Sequence, residues 1–394
     1  WPAPSHYYTF DFDGNLTIKD SKHVTTAGST TFNFANENSV TLKLQNVTID
    51  LECGSNCGST FTIDWSTTGD IILIDSKIEV TQYRTAKMEF EAGNISLINS
   101  TLHAGTKWTS YNSATVDSDI IFRADILSLD NSTVTSQSEQ TSDNGSGYTR
   151  KAYSDLTVEA EILVMENSTL LSQGSNSGTK SGYNRDAYVN LEIAAGNITV
   201  TDSKIESERT TNYGTEAMDI DAVGGTIYNG TFESDTFSLV FYGNGSYDVS
   251  IRDSSFPVYG QVSFDNAEVD LDNSTFSSTV TFYARNLSLA ASTISGTFTG
   301  TATNANITDT TVNGAATLAG TWLNITGMTF GSSFTTTSDY VNMSDSAVSS
   351  STQFTSNYVR LYDSTIHDTL YGTIGELYLE EMDIRDGDSY TLAV

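Results

Sequence analysis

The 394-residue sequence predicts an all-β fold: a parallel β-solenoid of about sixteen coils running through 1–394 as one continuous domain. Three observations carry this expectation. The first is a spacing of apolar-x-apolar, four residues, apolar, which recurs sixteen times. It closes at His23, Ile49, Ile78, Leu102, Val134, Leu170, Ile205, Phe232, Phe256, Phe276, Ile294, Val312, Phe330, Val348, Ile366 and Ile384, with His23 the weakest member. The second is regularity: from Phe276 the step is eighteen residues six times in succession, after earlier steps of 20 to 36. The third is alternation over three to five positions, which marks strands with one buried face. A unit of two or three such strands cannot bury that face alone, but stacked units make a continuous core.

Each coil reads in the same order. An alternating run such as Met88, Phe90 and Ala92 precedes Ile95 and Leu97, as Leu156, Val158 and Ala160 precede Leu163 and Met165. Leu191, Ile193, Ala195 and Val280, Phe282, Ala284 occupy the same offset. Two short strands and a third short apolar segment, separated by turns, are therefore expected per coil. Residues 1–256 hold longer coils, whose extra stretches "TSQSEQTSDNGSGYTRK" and "LSQGSNSGTKSGYNRD" read as polar surface loops. Residues 257–394 hold regular 18-residue coils.

Two residues after the second apolar position stands a column of Asp and Asn: Asp20, Asn46, Asp75, Asn99, Asn131, Asn167, Asp202, Asn229, Asp253, Asn273, Ala291, Asp309, Gly327, Asp345, Asp363, Glu381. Short side chains that hydrogen-bond their own backbone favour such corners. Through the first eleven coils Asn separates the acids, which relieves repulsion between rungs. Asp345, Asp363 and Glu381 stack without that separation, so they are a weak calcium candidate beside the reading of solvated surface acids.

Composition excludes several function classes. A formal charge of −31 with only 18 Lys and Arg argues against nucleic acid or an anionic membrane as partner. No stretch approaches the ~20 apolar residues of a membrane span. The opening "WPAPSHYYTF" has neither a basic n-region nor an apolar h-region, which suits a processed secreted chain and a cytosolic one equally. Fifteen N-x-[ST] sequons occur, a motif of secreted surfaces. Nine lie outside the corner column and are the glycosylation candidates: Asn15, Asn94, Asn144, Asn197, Asn244, Asn286, Asn306, Asn324 and Asn342. Six lie within it, Asn46, Asn99, Asn131, Asn167, Asn229 and Asn273, and a turn role serves as well there. Cys53 and Cys57 in "CGSNC" suit a local disulfide of an oxidising compartment, with free thiols or a link between subunits as alternatives.

Candidate chemistry is sparse. The phrases "GYTRKAY", "GYNRDAY" and "NYGTEAM" set Tyr148, Tyr183 and Tyr213 on successive long coils, as contacts for glycan or partner or as packing over loop bases. No G-x-S-x-G, H-E-x-x-H or P-loop is present. Polysaccharide lyases and hydrolases use solenoid folds, yet the Gly-His-Gly and Arg-Ile-Lys segments of the polygalacturonase family are missing. An enzyme is not expected, and no catalytic residue is assigned.

As a whole the chain resembles secreted β-solenoid glycoproteins of microbial, especially archaeal, cell surfaces: sheath, surface-layer or filament subunits and adhesins. The resemblance is architectural, spans the full length and rests on no diagnostic motif. It implies an extracellular structural glycoprotein carrying N-glycans and needing no cofactor. A glycan-binding adhesin using the long loops is the alternative, and a polysaccharide lyase or hydrolase the second alternative. The repeat runs nearly to the last residue, where Leu377, Leu379, Ile384 and Leu392 keep the apolar positions. At the other end "YYTFDFDGNLTI" alternates directly into the first coil. Uncapped coil ends pair with other edges, so a head-to-tail homopolymer is expected.

Overall fold

The computed structural model describes all residues except 1–5, 11–13, 26–29, 37–38, 53–60, 110–113, 143–149, 179–184, 212, 258–259, 385–390 and 394. Cys53, Cys57, Asn144, Tyr148 and Tyr183 lie outside the described residues, and Leu392 falls in the strand Thr391–Ala393. Among the described residues there is no helix, and none therefore long and apolar enough to cross a membrane. The chain forms two compact units, residues 1–220 with 232–236, and residues 221–231 with 237–394.

In the second unit the eighteen-residue period is the strand register itself. Val280 pairs with Phe298, Phe298 with Ala316, Ala316 with Phe334, Phe334 with Thr352 and Thr352 with Leu370, all in parallel. The same parallel pairing joins the longer coils of the first unit, as in Leu127 with Leu163 and Leu163 with Ile198. Inward residues form continuous columns, and aromatic ones stack: Phe90 on Phe122 at 5.4 Å, Phe256 on Phe276 at 4.9 Å. Each fully buried apolar side chain of this kind contributes about 1.5–3 kcal/mol.

Two expectations need correction. The two strands expected before the Asx corner are one: Ala114–Asp130, Arg150–Glu166, Phe298–Thr308 and Ala316–Thr326 each run through both. The register skips a single residue, from Ala124↔Ala160 to Ile126↔Ile162, so a one-residue kink turns the face without ending the strand. The described beginnings of the stretches read as surface loops are also strand, within Thr133–Ser142 and Thr169–Gly178. Their inward residues are Ser136, Ser138, Gln140 and Ser172, Gly174, Asn176. Small polar residues can face inward because hydroxyls there bond the opposite wall. Ser118, Ser136, Ser154 and Ser172 form a buried zigzag in which each later Oγ donates to the preceding serine's carbonyl, at 2.7–2.8 Å.

The Asx column is a column of left-handed corners. Every one of its sixteen positions has positive φ, 43° to 54° for the non-glycine residues and 67° at Gly327. Asn, Asp and Gly tolerate this conformation and other residues resist it. The residue after the corner is usually a buried serine that ties three coils together. Ser100 Oγ donates to Ile98 O in its own coil (2.8 Å) and accepts from Ser76 N in the preceding one (3.2 Å). Ser100 N in turn donates to Ser132 Oγ (3.0 Å), Ser132 N to Ser168 Oγ (3.0 Å) and Ser168 N to Ser203 Oγ (3.0 Å). In the second unit the line runs through Ser254, Ser274, Ser292 and Thr310, then again through Ser346 and Ser364.

Replacing Ser132 by Ala leaves the Ser100 N–H buried without its acceptor, a loss of about 1–3 kcal/mol. Ala291 is the corner residue least suited to its φ of 48°. Ala291→Asn is therefore expected to gain up to about 1 kcal/mol. Chemical denaturation of both variants, fitted over the same transition as the parent, checks the two signs together.

Candidate functional site

The outer face of the phrase-bearing strands in the second unit carries two adjoining columns. In one, registered pairing sets Glu268, Asn286, Asn304, Trp322, Tyr340, Tyr358 and Glu376 on successive rungs. In the other it sets Asp270, Ser288, Asn306, Asn324, Asn342, Arg360 and Tyr378. Residues two apart in a strand share a face, so Trp322 stands beside Asn324 and Tyr340 beside Asn342.

Trp322 is 54% exposed and stacks on Tyr340 with centroids 4.1 Å apart and planes 10° from parallel. Tyr358 follows at 6.3 Å and Tyr378 at a further 5.3 Å. Beside them the asparagines form an amide ladder: Asn324 Nδ2 donates to Asn306 Oδ1 and Asn342 Nδ2 to Asn324 Oδ1, each at 2.8 Å. A second ladder joins Asn304 Nδ2 to Asn286 Oδ1 at 2.9 Å. Grooves of about 510 Å³ and 580 Å³ lie along these columns and meet at Trp322 and Asn324. Five rung spacings separate Glu268 from Tyr358, about 24 Å.

The expected sites fall out unevenly. Asn286, Asn306, Asn324 and Asn342 sit in the ladders, while Asn94 Nδ2 donates to Asp70 Oδ1 and Asn15 Oδ1 accepts from Thr41 N. Asn197 and Asn244 are exposed. The six corner sequons all have φ between 46° and 52°, and Asn46, Asn99 and Asn273 donate to the Asp of the preceding corner. Tyr213 is exposed. The stacked pair in its region is Tyr153 on Tyr188 (4.8 Å), the second tyrosines of the phrases that contain Tyr148 and Tyr183.

Asp345, Asp363 and Glu381 are exposed corners whose charge, Glu381 first, raises the Tyr362 hydroxyl. They do not converge. Among the described residues, the carboxylates that do are Asp117, Asp119 and Asp155, with oxygens all within 4.8 Å of one another. Asp119 and Asp155 are registered neighbours, and Asp117 lies two residues from Asp119 on the same face. These are the residues able to hold a hard cation. Alone, they share protons. Burial first, then the Asp117 and Asp155 charges, push Asp119 up to about 7. Burial, then Asp117 and Glu192, push Asp155 to about 6. Burial raises Asp117 too, opposed by the hydrogen bond from Asp119.

Arg123 shows the other solution to stacked acids, lying between Glu89 and Glu159, with Nε 3.2 Å from the latter. Neither the amide ladder nor the acid trio was singled out from the sequence. The signal for the first was present, since Asn306, Asn324 and Asn342 are eighteen residues apart, as are Trp322, Tyr340 and Tyr358 beside them.

Because the folded chain keeps protons that the unfolded chain has released, the contribution of Asp119 to stability falls as pH rises from about 4 to about 7. Asp119→Asn removes Asp119's share of that slope. It is expected to exceed the parent by on the order of 1 kcal/mol at pH 8, a figure already reduced for partial solvent screening, and to match it near pH 4. Melting temperatures across that range check it. No protein-family model matches the chain, and no curated protein or solved structure is significantly similar to it.

Proposed function

We propose that the protein is a structural subunit of a cell-surface assembly, joined to further copies by coil-on-coil stacking. One observation carries this reading. Leu379 is 47% exposed, whereas Leu361, its registered partner one coil earlier, is fully buried. Leu377 and Ile384 are likewise half-buried beside buried Val359 and Ile366. Leu16 and Ile18 in the first described phrase are half-buried while Leu42 and Leu44 beneath them are buried. Among the described residues, the strand Leu370–Glu380 pairs with Thr391–Ala393 along Tyr371–Thr373. An uncovered coil with open backbone groups is completed by another coil of the same width and register, supplied by the same chain or, as proposed here, by another copy. A heterologous contact of this kind propagates rather than closing, unless it curves into a ring. The net charge of −31 holds flanks apart while ends join.

An extracellular setting is part of the proposal, with N-glycans on Asn197 and Asn244, which are exposed outside both the ladders and the Asx column. Glycopeptide mapping of native material is expected to find sugar on these two and none on Asn306, Asn324 or Asn342.

A second reading, a polysaccharide-degrading enzyme, rests on Asp119, a carboxyl protonated near neutrality beside two other carboxylates. Release of reducing ends by the parent but not by Asp119→Asn would favour it.

The stacking proposal is tested by sedimentation of the 394-residue chain. The parent is expected to grow in mass with concentration, and Leu379→Lys to remain monomeric with an unchanged far-ultraviolet spectrum. A parent that stays monomeric at high concentration, or a folded variant that assembles as readily, overturns it.

A further inference from the structure

We propose that the trough along Trp322, Tyr340 and Tyr358 and the Asn306–Asn324–Asn342 ladder binds a neutral, linear, β-linked polysaccharide. The ring faces offer what a pyranose needs on its C–H side, flat polarisable surface held in place before binding. Trp322 and Tyr340 are locked by mutual stacking, so little side-chain freedom remains to be lost.

The amides supply the other half. An Asn side chain has two N–H donors and two acceptor lone pairs. Asn324 spends one donor on Asn306 and one lone pair on Asn342, which leaves one donor and one lone pair at that rung for a ligand. A sugar hydroxyl is itself donor and acceptor, and the rung spacing of about 4.8 Å is close to the advance per sugar in an extended β-linked chain. A straight row of rungs therefore runs alongside a straight polymer.

Charge selects a neutral ligand. In a chain of net charge −31, the rungs from Asn286 to Tyr358 carry no charge in these two columns save Arg360, whose guanidinium lies 3.6 Å from Glu380. Acids bound the stretch at both ends, Glu268 and Asp270 at one and Glu376 and Glu380 at the other. A polyuronate would be repelled there, and a polycation would find its partners only at the margins.

The test uses the whole chain and two neutral probes, cellohexaose and chitohexaose, with hexagalacturonate as the charged probe. Calorimetry is expected to show saturable binding of at least one neutral hexamer and none of hexagalacturonate. Trp322→Ala and Tyr340→Ala are each expected to weaken binding ten-fold or more, and Asn324→Ala several-fold. Tyr283→Ala, exposed but off the trough, should leave it unchanged. Because these residues lie on the surface, circular dichroism serves as the check that each variant is folded. No binding of either neutral hexamer at millimolar concentration overturns the proposal. So does unchanged binding by folded Trp322→Ala and Tyr340→Ala, equal binding of hexagalacturonate, or a glycan on Asn324 in native material. None of these outcomes bears on the end-stacking measurement.

Discussion

A left-handed corner turns the following peptide N–H out of line with the parallel hydrogen bonds on either side of it. Buried and unpartnered, that group would cost about 1–3 kcal/mol at every coil. The serine of the next coil removes the cost by placing its Oγ where the N–H points and returning its own proton to the carbonyl two residues back. One hydroxyl thus serves its own corner and the corner of the preceding coil. The device also fixes register: sliding a coil by one residue would bring an apolar or charged side chain to the hydroxyl's place, as well as exchanging core and solvent faces. The straight inward columns and the outward ladders both depend on that alignment.

Once register is fixed, every outward position meets its counterpart about 4.8 Å away, and a strongly acidic chain must keep like charges from collecting there. Three solutions appear. Amides alternate with acids, as Asn46 on Asp20 and Asn273 on Asp253. Scarce cations are spent between acids, as Arg123 between Glu89 and Glu159 and Lys204 between Glu206 and Glu233. Where neither is available, at Asp117, Asp119 and Asp155, the carboxylates hold their protons to higher pH than free aspartate does. The uncharged trough of the second unit belongs to the first solution carried to its limit, with amides and rings and hardly an acid.

Much of this was legible in the sequence because apolar columns repeat and a period of eighteen is hard to mistake. The Asx column was legible as corners, though its left-handed backbone was not stated, and Ala291 and Glu381 hide it because neither residue type announces positive φ. What periodic reading missed has a physical cause. Thr133–Ser142 and Thr169–Gly178 alternate between small polar residues inside and polar residues outside, so hydropathy shows no alternation. Only the opposite wall, with Ser118 and Ser154 in reach of Ser136, makes those positions a core. The trough was hidden differently. Its residues are ordinary singly, and they become a surface only when positions eighteen apart are stacked side by side.

The abundance of sequons follows from the same geometry. At a corner, Asn suits the left-handed backbone, Ser supplies the bridging hydroxyl and Thr opens the next strand, donating its N–H to the preceding coil as Thr133 does to Ser100 O. Written in order these are Asn-Ser-Thr, found at Asn99, Asn131, Asn167 and Asn273. On the outer face, Asn of the amide ladder lies two residues before a Ser or Thr of the next outward column, and Thr326 and Ser344 of that column hydrogen-bond at 3.2 Å. That arrangement writes N-x-[ST] again, at Asn306, Asn324 and Asn342. Neighbouring ladder asparagines are one rung apart, too close for sugars on each of them without crowding, and the Nδ2 atoms of Asn324 and Asn342 are already donors in the ladder. A motif that marks a modification site elsewhere is here largely a by-product of stacking. Its informative instances are those that stacking does not require.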